Sequence, residues 1–352
     1  MLRTLLHTTL FDVGLGGTAA WLLSVDRLPF WSYTRPQAHA LAVGIDEVDT
    51  VFLGSSRVMR GVSPALFDAR MAALGRPSLS YNFGVAGTRA HDFERQIEWI
   101  LEQRPKKLRR IVLEASTYRQ PIRDGQWMKD LSVETHEAAS LPSRLSSILA
   151  EDADLEQKLE VTGYVLAHTL VNALRVGQGP RILDDWCRRW SGQAPSRFVP
   201  DADRGFAPLS AEAPPSPNRA EQHRAWAANP KLAETLLWHK RRHGLPEAYR
   251  GGFDHWSCER QIARLEEAGI ELVYVVMPSH TIHFYGRDGL DEHADEVAIL
   301  SFEDPDAYPE LYRFENWFDE THLGEAGAER FSLLLADAVA ALPPPSGAGE
   351  AQ

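Results

Sequence analysis

The sequence predicts an α/β protein, a three-layer, doubly wound parallel sheet interrupted by a mainly helical insertion. Two observations point there. Before residue 120, short apolar runs rich in β-branched residues alternate with stretches of helical periodicity, and strand, helix, strand, helix, strand requires crossover connections and hence parallel strands. A strand pattern then returns only near residue 271, after a long stretch that holds helical patterns and a Pro-rich loop.

In order, Val51–Leu53 is the first strand and runs into the polar turn Gly54-Ser55-Ser56. Pro64 to Leu74 reads as a helix with Ser63 as N-cap and Gly75 as its stop. Leu79–Phe83 is a second strand entering Gly84-Val85-Ala86-Gly87-Thr88. His91 to Gln103 carries Phe93, Ile97, Ile100 and Leu101 at helical spacing until Pro105 ends it. Arg110–Ala115 is the third strand. The insertion, residues 119–252, has helices expected at Leu155–Arg175 and Pro230–His243, with a long loop over Pro200–Arg219, and reads as a cap over the site. A helix over Phe253–Ala268, a strand over Glu271–Met277 and a final helix over Glu325–Ala341 complete a core made of residues 48–118 and 253–341. Residues 342–352 form a Pro/Gly/Ala tail, expected to be disordered.

A chain of 352 residues suits one large α/β domain with an insertion or two domains. Its net charge of −12 excludes a general nucleic-acid binder, which needs clustered Lys and Arg to neutralise phosphates. Cys187 and Cys258 are too few for a disulfide scaffold and lack zinc-site spacing, so buried thiols are expected, with one bridge as the alternative. Leu5 to Val25 is mostly apolar and about long enough to span a bilayer. Asp12 within it costs about 3 kcal/mol on insertion scales. The expectation is that residues 1–28 are a retained membrane anchor holding the protein at an extracytoplasmic (periplasmic) face. The alternative is an amphipathic helix on a soluble cytoplasmic protein.

The chemistry-bearing segments are Gly54-Ser55-Ser56 and Asp319-Glu320-Thr321-His322. A serine hydroxyl is a weak nucleophile near neutral pH. It needs a base within hydrogen-bond reach, and the base needs a group that fixes its tautomer. Ser56 at the C-terminal end of a parallel strand lies where open α/β sheets keep their chemistry, and D-x-x-H at a loop entering the last helix brings a carboxylate and an imidazole together.

These segments resemble the blocks of the SGNH/GDSL hydrolase superfamily. Gly54-Ser55-Ser56 is similar to the first block, in which Gly-Asp-Ser is commoner and the last serine is the nucleophile. Asp319-x-x-His322-Leu323 is similar to the last block, and Tyr81 through Thr88 to the second, whose final glycine lends its N–H to the oxyanion hole. The resemblance covers about residues 48–118 and 253–341 and implies an SGNH/flavodoxin-like fold. It implies Ser56 as nucleophile, His322 as general base and acid, Asp319 as orienter, and the Ser56 and Gly87 N–H groups as oxyanion donors. Where the family has Gly-x-Asn-Asp after the third strand, this chain has Glu114-Ala115-Ser116-Thr117-Tyr118. The Asn donor is absent: either a hydroxyl of Ser116 or Thr117 stands in for it, Thr117 being the candidate oxyanion residue, or the oxyanion hole is weaker.

The activity so implied is a serine-dependent acyl-ester hydrolase or O-acyltransferase, handling acetyl or another small acyl group on a cell-envelope carbohydrate. A membrane-bound acyl-transfer protein would be its partner, and no cofactor is needed. The absent Asn also suits an accessory or binding protein of an envelope polysaccharide-modification system that keeps the scaffold with little or no turnover. Arg57, next to the nucleophile, is a candidate for contacting an anionic or sugar-rich substrate, or else a surface charge. His280 and His283, after the strand ending at Met277, are candidates to line a substrate cleft. His239 and His243 have metal-ligand spacing, but Lys240, Arg241 and Arg242 between them oppose a cation. Trp186, Trp190 and Phe198 in the insertion suit either sugar stacking or a helical core.

Overall fold

The computed structural model describes residues 17, 35–88, 90–115, 136, 138–150, 154–174, 187, 191, 204–211, 217–243, 255–281, 290 and 293–345. The chain divides into two compact units, Met1–Pro36 with Gln120–Phe198, and Gln37–Arg119 with Val199–Gln352. Residues 120–198 of the expected insertion belong to the first unit, and its residues from Val199 onward belong to the second, which holds the sheet.

The described elements, in chain order, begin with α1 (Arg35–Gly44), β1 (Thr50–Gly54), α2 (Ser56–Gly61), α3 (Pro64–Ala73), β2 (Ser80–Gly84), α4 (Ala90–Glu102) and β3 (Arg110–Glu114). Next come α5 (Leu141–Ala150) and α6 (Leu155–Ala173), then α7 (Pro217–Ala227), α8 (Pro230–His243) and α9 (His255–Glu267). The chain closes with β4 (Glu271–Val276), β5 (Ala298–Ser301) and α10 (Glu325–Ala341).

All five strands are parallel, in the order β2-β1-β3-β4-β5. The three-layer α/β expectation holds. Strands β1, β2 and β3 are buried along their whole length, which is why β1 and β3 read as continuous apolar runs, while β2 buries the polar Ser80 and Asn82 between Tyr81 and Phe83. Register places Phe52, Val112 and Val273 side by side on one face, and Val51, Ile111 and Leu272 on the other. The first face packs under α3 and α10, where the Phe52 and Phe67 rings meet edge to face at 4.9 Å and Phe331 and Leu335 are fully buried. On the second face α4 sets Trp99 against Phe83 at 5.6 Å, and the α4 carboxylates of Glu94 and Glu98 pair with Arg260 and Arg264 of α9.

Helix α3 starts as its composition dictates. The Ser63 hydroxyl accepts from the Leu66 N–H, Pro64 occupies the first turn, and Gly75, at φ 74°, follows the end. Helix α10 is clamped beside it, because the Ser332 hydroxyl accepts the Ser63 N–H at 2.8 Å. The outer edge of β2 is closed by residues from beyond the first unit's segment: the Asn82 N–H donates to the Arg204 carbonyl at 2.8 Å, and the Ala207 N–H to the Met59 carbonyl at 3.0 Å. Gly205 makes this approach feasible. It sits at φ 95°, and a Cβ there would lie 1.9 Å from the Asn82 carbonyl oxygen.

In the other unit, α5 and α6 bury Ile148 against Val161 and Val165, with Leu141 and Leu145 alongside. The His136 and His168 rings meet edge to face at 4.9 Å.

The expectation of an N-terminal membrane helix is overturned: among the described residues no helix is long and apolar enough to cross a membrane. Of residues 1–34 all but Gly17 lie outside the described residues, as do the end of the tail and Trp186, Trp190, Phe198 and His283. Neither cysteine is in a disulfide. Cys258 is buried as expected, and Cys187 is exposed.

Candidate active site

The order β2-β1-β3 means that the chain leaves β1 in one direction and returns to its other side. The C-terminal end of β1 is thus the switch point of the sheet, where connecting loops diverge and leave a crevice. Gly54 ends β1 there. It has no room for a side chain: a Cβ would lie 2.3 Å from Val58 Cγ2 and 2.6 Å from Glu114 Oε2. Ser55 then caps α2, its hydroxyl accepting the Arg57 N–H at 3.2 Å, and Ser56 opens the helix.

The loop from Phe314 to Gly324 brings the second half of the site. It is drawn into a tight hairpin by the Phe318 N–H to the His322 carbonyl (2.9 Å), the Gly324 N–H to the Asn316 carbonyl (2.8 Å), and an antiparallel bridge between Trp317 and Leu323. Within it Asp319 accepts from the Thr321 N–H, the Thr321 hydroxyl and the His322 N–H, at 2.8, 3.0 and 2.8 Å. His322 Nδ1 lies 3.0 and 2.9 Å from the two carboxylate oxygens, and its Nε2 lies 2.8 Å from Ser56 Oγ. The structure therefore brings Ser56, His322 and Asp319 together as a linear relay of hydrogen bonds.

The electrostatics favour one tautomer. Burial works to raise the Asp319 pKa, but the hydrogen bond and charge of His322 and the two backbone donors outweigh it and hold it at about 2. A carboxylate ionised at neutral pH accepts Nδ1–H, which leaves Nε2 unprotonated and able to accept the Ser56 hydroxyl proton.

Gly87 stands on the turn after β2, exposed and at φ 83°. That turn is fastened to the end of β1: the Val85 N–H and the Thr88 hydroxyl both donate to the Gly54 carbonyl, at 2.8 and 3.1 Å. The turn that carries Gly87 is thus held at the end of β1, two residues before Ser56. Thr117 and Ser116 lie outside the described residues.

Two expected substrate contacts are corrected. Arg57 is neither a surface charge nor turned toward solvent; it is 9% exposed and its guanidinium pairs with the Glu114 carboxylate. His280 lines no cleft. It is fully buried, with Trp317, Trp226 and Tyr312 edge-on around it at 4.4, 5.1 and 5.6 Å, and neither ring nitrogen has a hydrogen-bond partner within the protein. Burial, with the charge of Lys240 adding to it, pushes its pKa down to about 3, so the ring is neutral. Its backbone N–H donates to the Glu320 carbonyl at 3.1 Å, which makes His280 a support behind the Asp319 loop.

Four residues that sequence reasoning passed over complete the surroundings. Thr321 adds a hydroxyl 3.0 Å from His322 Nδ1. Asn82 ties β2 to α2, its amide donating to the Val58 and Val62 carbonyls at 2.8 and 2.7 Å. His223 stacks on Phe318 at 4.2 Å and bonds its carbonyl through Nδ1 at 2.8 Å. Glu114 reaches Ser55 from β3. Only Glu114 carried a legible signal, a charge at the end of an apolar strand. Among the described residues no group of three or more His, Cys, Asp or Glu side chains is arranged to hold a metal. No family model matches the chain, and no curated protein matches it.

Proposed function

We propose that the protein is a serine-dependent acyl-ester hydrolase or O-acyltransferase that acts on a small acyl group, such as acetyl, carried by a carbohydrate hydroxyl. The observation that carries this reading is the relay from Ser56 Oγ through His322 Nε2 and Nδ1 to Asp319, with spacings of 2.8 and 2.9 Å. Ser56 attacks the ester carbonyl carbon while its proton passes to His322 Nε2. Asp319 stabilises the imidazolium without itself taking the proton. The oxyanion forms beside the Ser56 and Gly87 N–H groups. Collapse expels the alcohol, which takes the proton from His322 and leaves an acyl-Ser56 ester. Water or a sugar hydroxyl then gives its proton to His322 and attacks that ester, releasing free acid or the newly acylated sugar and restoring the serine. The reaction type rests on this chemistry; the carbohydrate and the acetyl group rest on the likeness of the three sequence blocks to SGNH/GDSL hydrolases.

Labelling with a fluorophosphonate tests the reading. The wild-type protein is expected to take up one label, and Ser56→Ala none. Labelling that persists in Ser56→Ala, or a wild type that takes up no label, overturns the catalytic reading and leaves the accessory-protein role. With labelling established, acetyl-ester turnover that accelerates on adding an acceptor sugar identifies transfer, and turnover indifferent to the sugar identifies hydrolysis.

A further inference from the structure

Glu114 ends β3 one strand away from Ser56, and its side chain is 1% exposed. A carboxylate so buried is costly unless its oxygens are all engaged. Here Oε2 accepts the Ser55 N–H at 2.6 Å, while Oε1 accepts the Ser55 hydroxyl at 3.1 Å and the Arg57 guanidinium. The Ser55 hydroxyl in turn accepts the Arg57 N–H. The residue before the proposed nucleophile is therefore held through backbone and side chain, and the residue after it through its guanidinium, by one carboxylate. That carboxylate also lies against the backbone at the end of β1, where only glycine fits.

We infer that Glu114 is a positioning residue for the serine: through Ser55 it sets the direction of Ser56 Oγ toward His322, and Arg57 is its counter-ion in place of a substrate contact. The inference rests on the reading of Ser56 as nucleophile. Arg57 has a second consequence for the reaction. A lone carboxylate beside the oxyanion site would repel the charge that develops there, and a paired one presents almost none.

A purely structural ion pair and a positioning acceptor are separated by removing the charge and asking what the oxygen does. In an Arg57→Met background, Glu114→Gln and Glu114→Leu are both neutral and similar in volume, but only Gln keeps an oxygen for the Ser55 N–H. The expected result is fluorophosphonate labelling up to about a hundredfold slower in Arg57→Met/Glu114→Leu, the penalty typical of an ångström-scale misplacement, and largely restored in Arg57→Met/Glu114→Gln. Equal labelling rates in the two double variants overturn the inference.

An independent readout is the ring-nitrogen resonances of isotope-labelled His322. Ser56→Ala defines their position when the serine bond is lost. Arg57→Met/Glu114→Leu is expected to shift toward it, and wild-type positions in that variant overturn the inference. If the wild type takes up no label, the proposed function fails while these resonances still decide the positioning role. Should the Leu variant not fold, Glu114→Met in the same background, neutral, more flexible and equally without an oxygen, replaces it with the same two outcomes.

Discussion

Asp319→Asn is the sharpest perturbation of the relay. Three donors meet Oδ1 and the His322 Nδ1–H faces both oxygens, so the amide nitrogen of Asn in the Oδ2 position would point a donor at a donor. The ring relieves this by moving its proton to Nε2, where it can no longer accept from Ser56. For an orienting carboxylate of a serine triad, that tautomer error lowers turnover about 10⁴-fold, or about 5 kcal/mol of transition-state stabilisation. The same substitution has a thermodynamic signature. A folded pKa of about 2 in place of 3.8, at about 1.4 kcal/mol per pH unit, corresponds to roughly 2–3 kcal/mol favouring the native state. Because the folded value is depressed, that contribution is complete above pH 4 and disappears as the pH falls through 2. Urea unfolding of the wild type and of Asp319→Asn, at pH 7 and near pH 2, together with fluorophosphonate labelling at pH 7, measures both effects. The stability difference is expected to narrow by that amount at acid pH. A variant that labels within tenfold of the wild type, or a stability gap independent of pH, refutes the reasoning.

Two further outcomes follow from packing and burial. Gly205→Ala forces a Cβ into the Asn82 carbonyl at positive φ and is expected to lower stability by about 2–4 kcal/mol, read as a shift in the urea midpoint; an unchanged midpoint contradicts the role assigned to this segment. Lys240 is pushed down to about 8, first by burial, although its ammonium donates to the Ser279 carbonyl at 2.8 Å. The unfolded chain then holds a proton that the native protein has released between pH 8 and about 10.5, so wild-type stability rises over that window relative to Lys240→Met, by roughly 3–4 kcal/mol before solvent screening is allowed for. Parallel pH profiles for the two proteins rule out the burial argument.

What could be read in advance follows from where each signal resides. The strands β1, β3 and β4 announced themselves because both faces are covered and their central positions favour apolar residues, and β2 by the alternation of Leu79, Tyr81 and Phe83 ahead of a Gly-rich turn. Strand β5 did not, since Ala298–Ser301 is a short, half-buried edge strand whose apolar run of Val297–Leu300 directly follows the acidic stretch Asp291–Glu296. The serine and the D-x-x-H loop were legible because each is contiguous and each adjoins a recognisable strand or helix. Arg57 was misjudged because its partner, Glu114, is distant in sequence and becomes a neighbour only through the β1–β3 pairing. His280 was placed at the correct end of the sheet, but its enclosure comes from Trp226 on α7 and from Tyr312 and Trp317, which no local pattern links to it. The return of Arg204–Ala207 to the edge of β2 is a backbone contact, to which side-chain patterns are blind.

Ser56 and its base are 266 residues apart in the chain. At roughly 5–20 residues per second, a ribosome that has made the serine needs on the order of 10–50 s more to deliver the histidine. Throughout that interval the hydroxyl has no imidazole to take its proton, and the β2 edge stays open until Arg204 arrives. The proposed relay is thus incomplete until residue 322 has been made, and the β2 edge lacks its cover while the chain grows from Gly84 to Arg204.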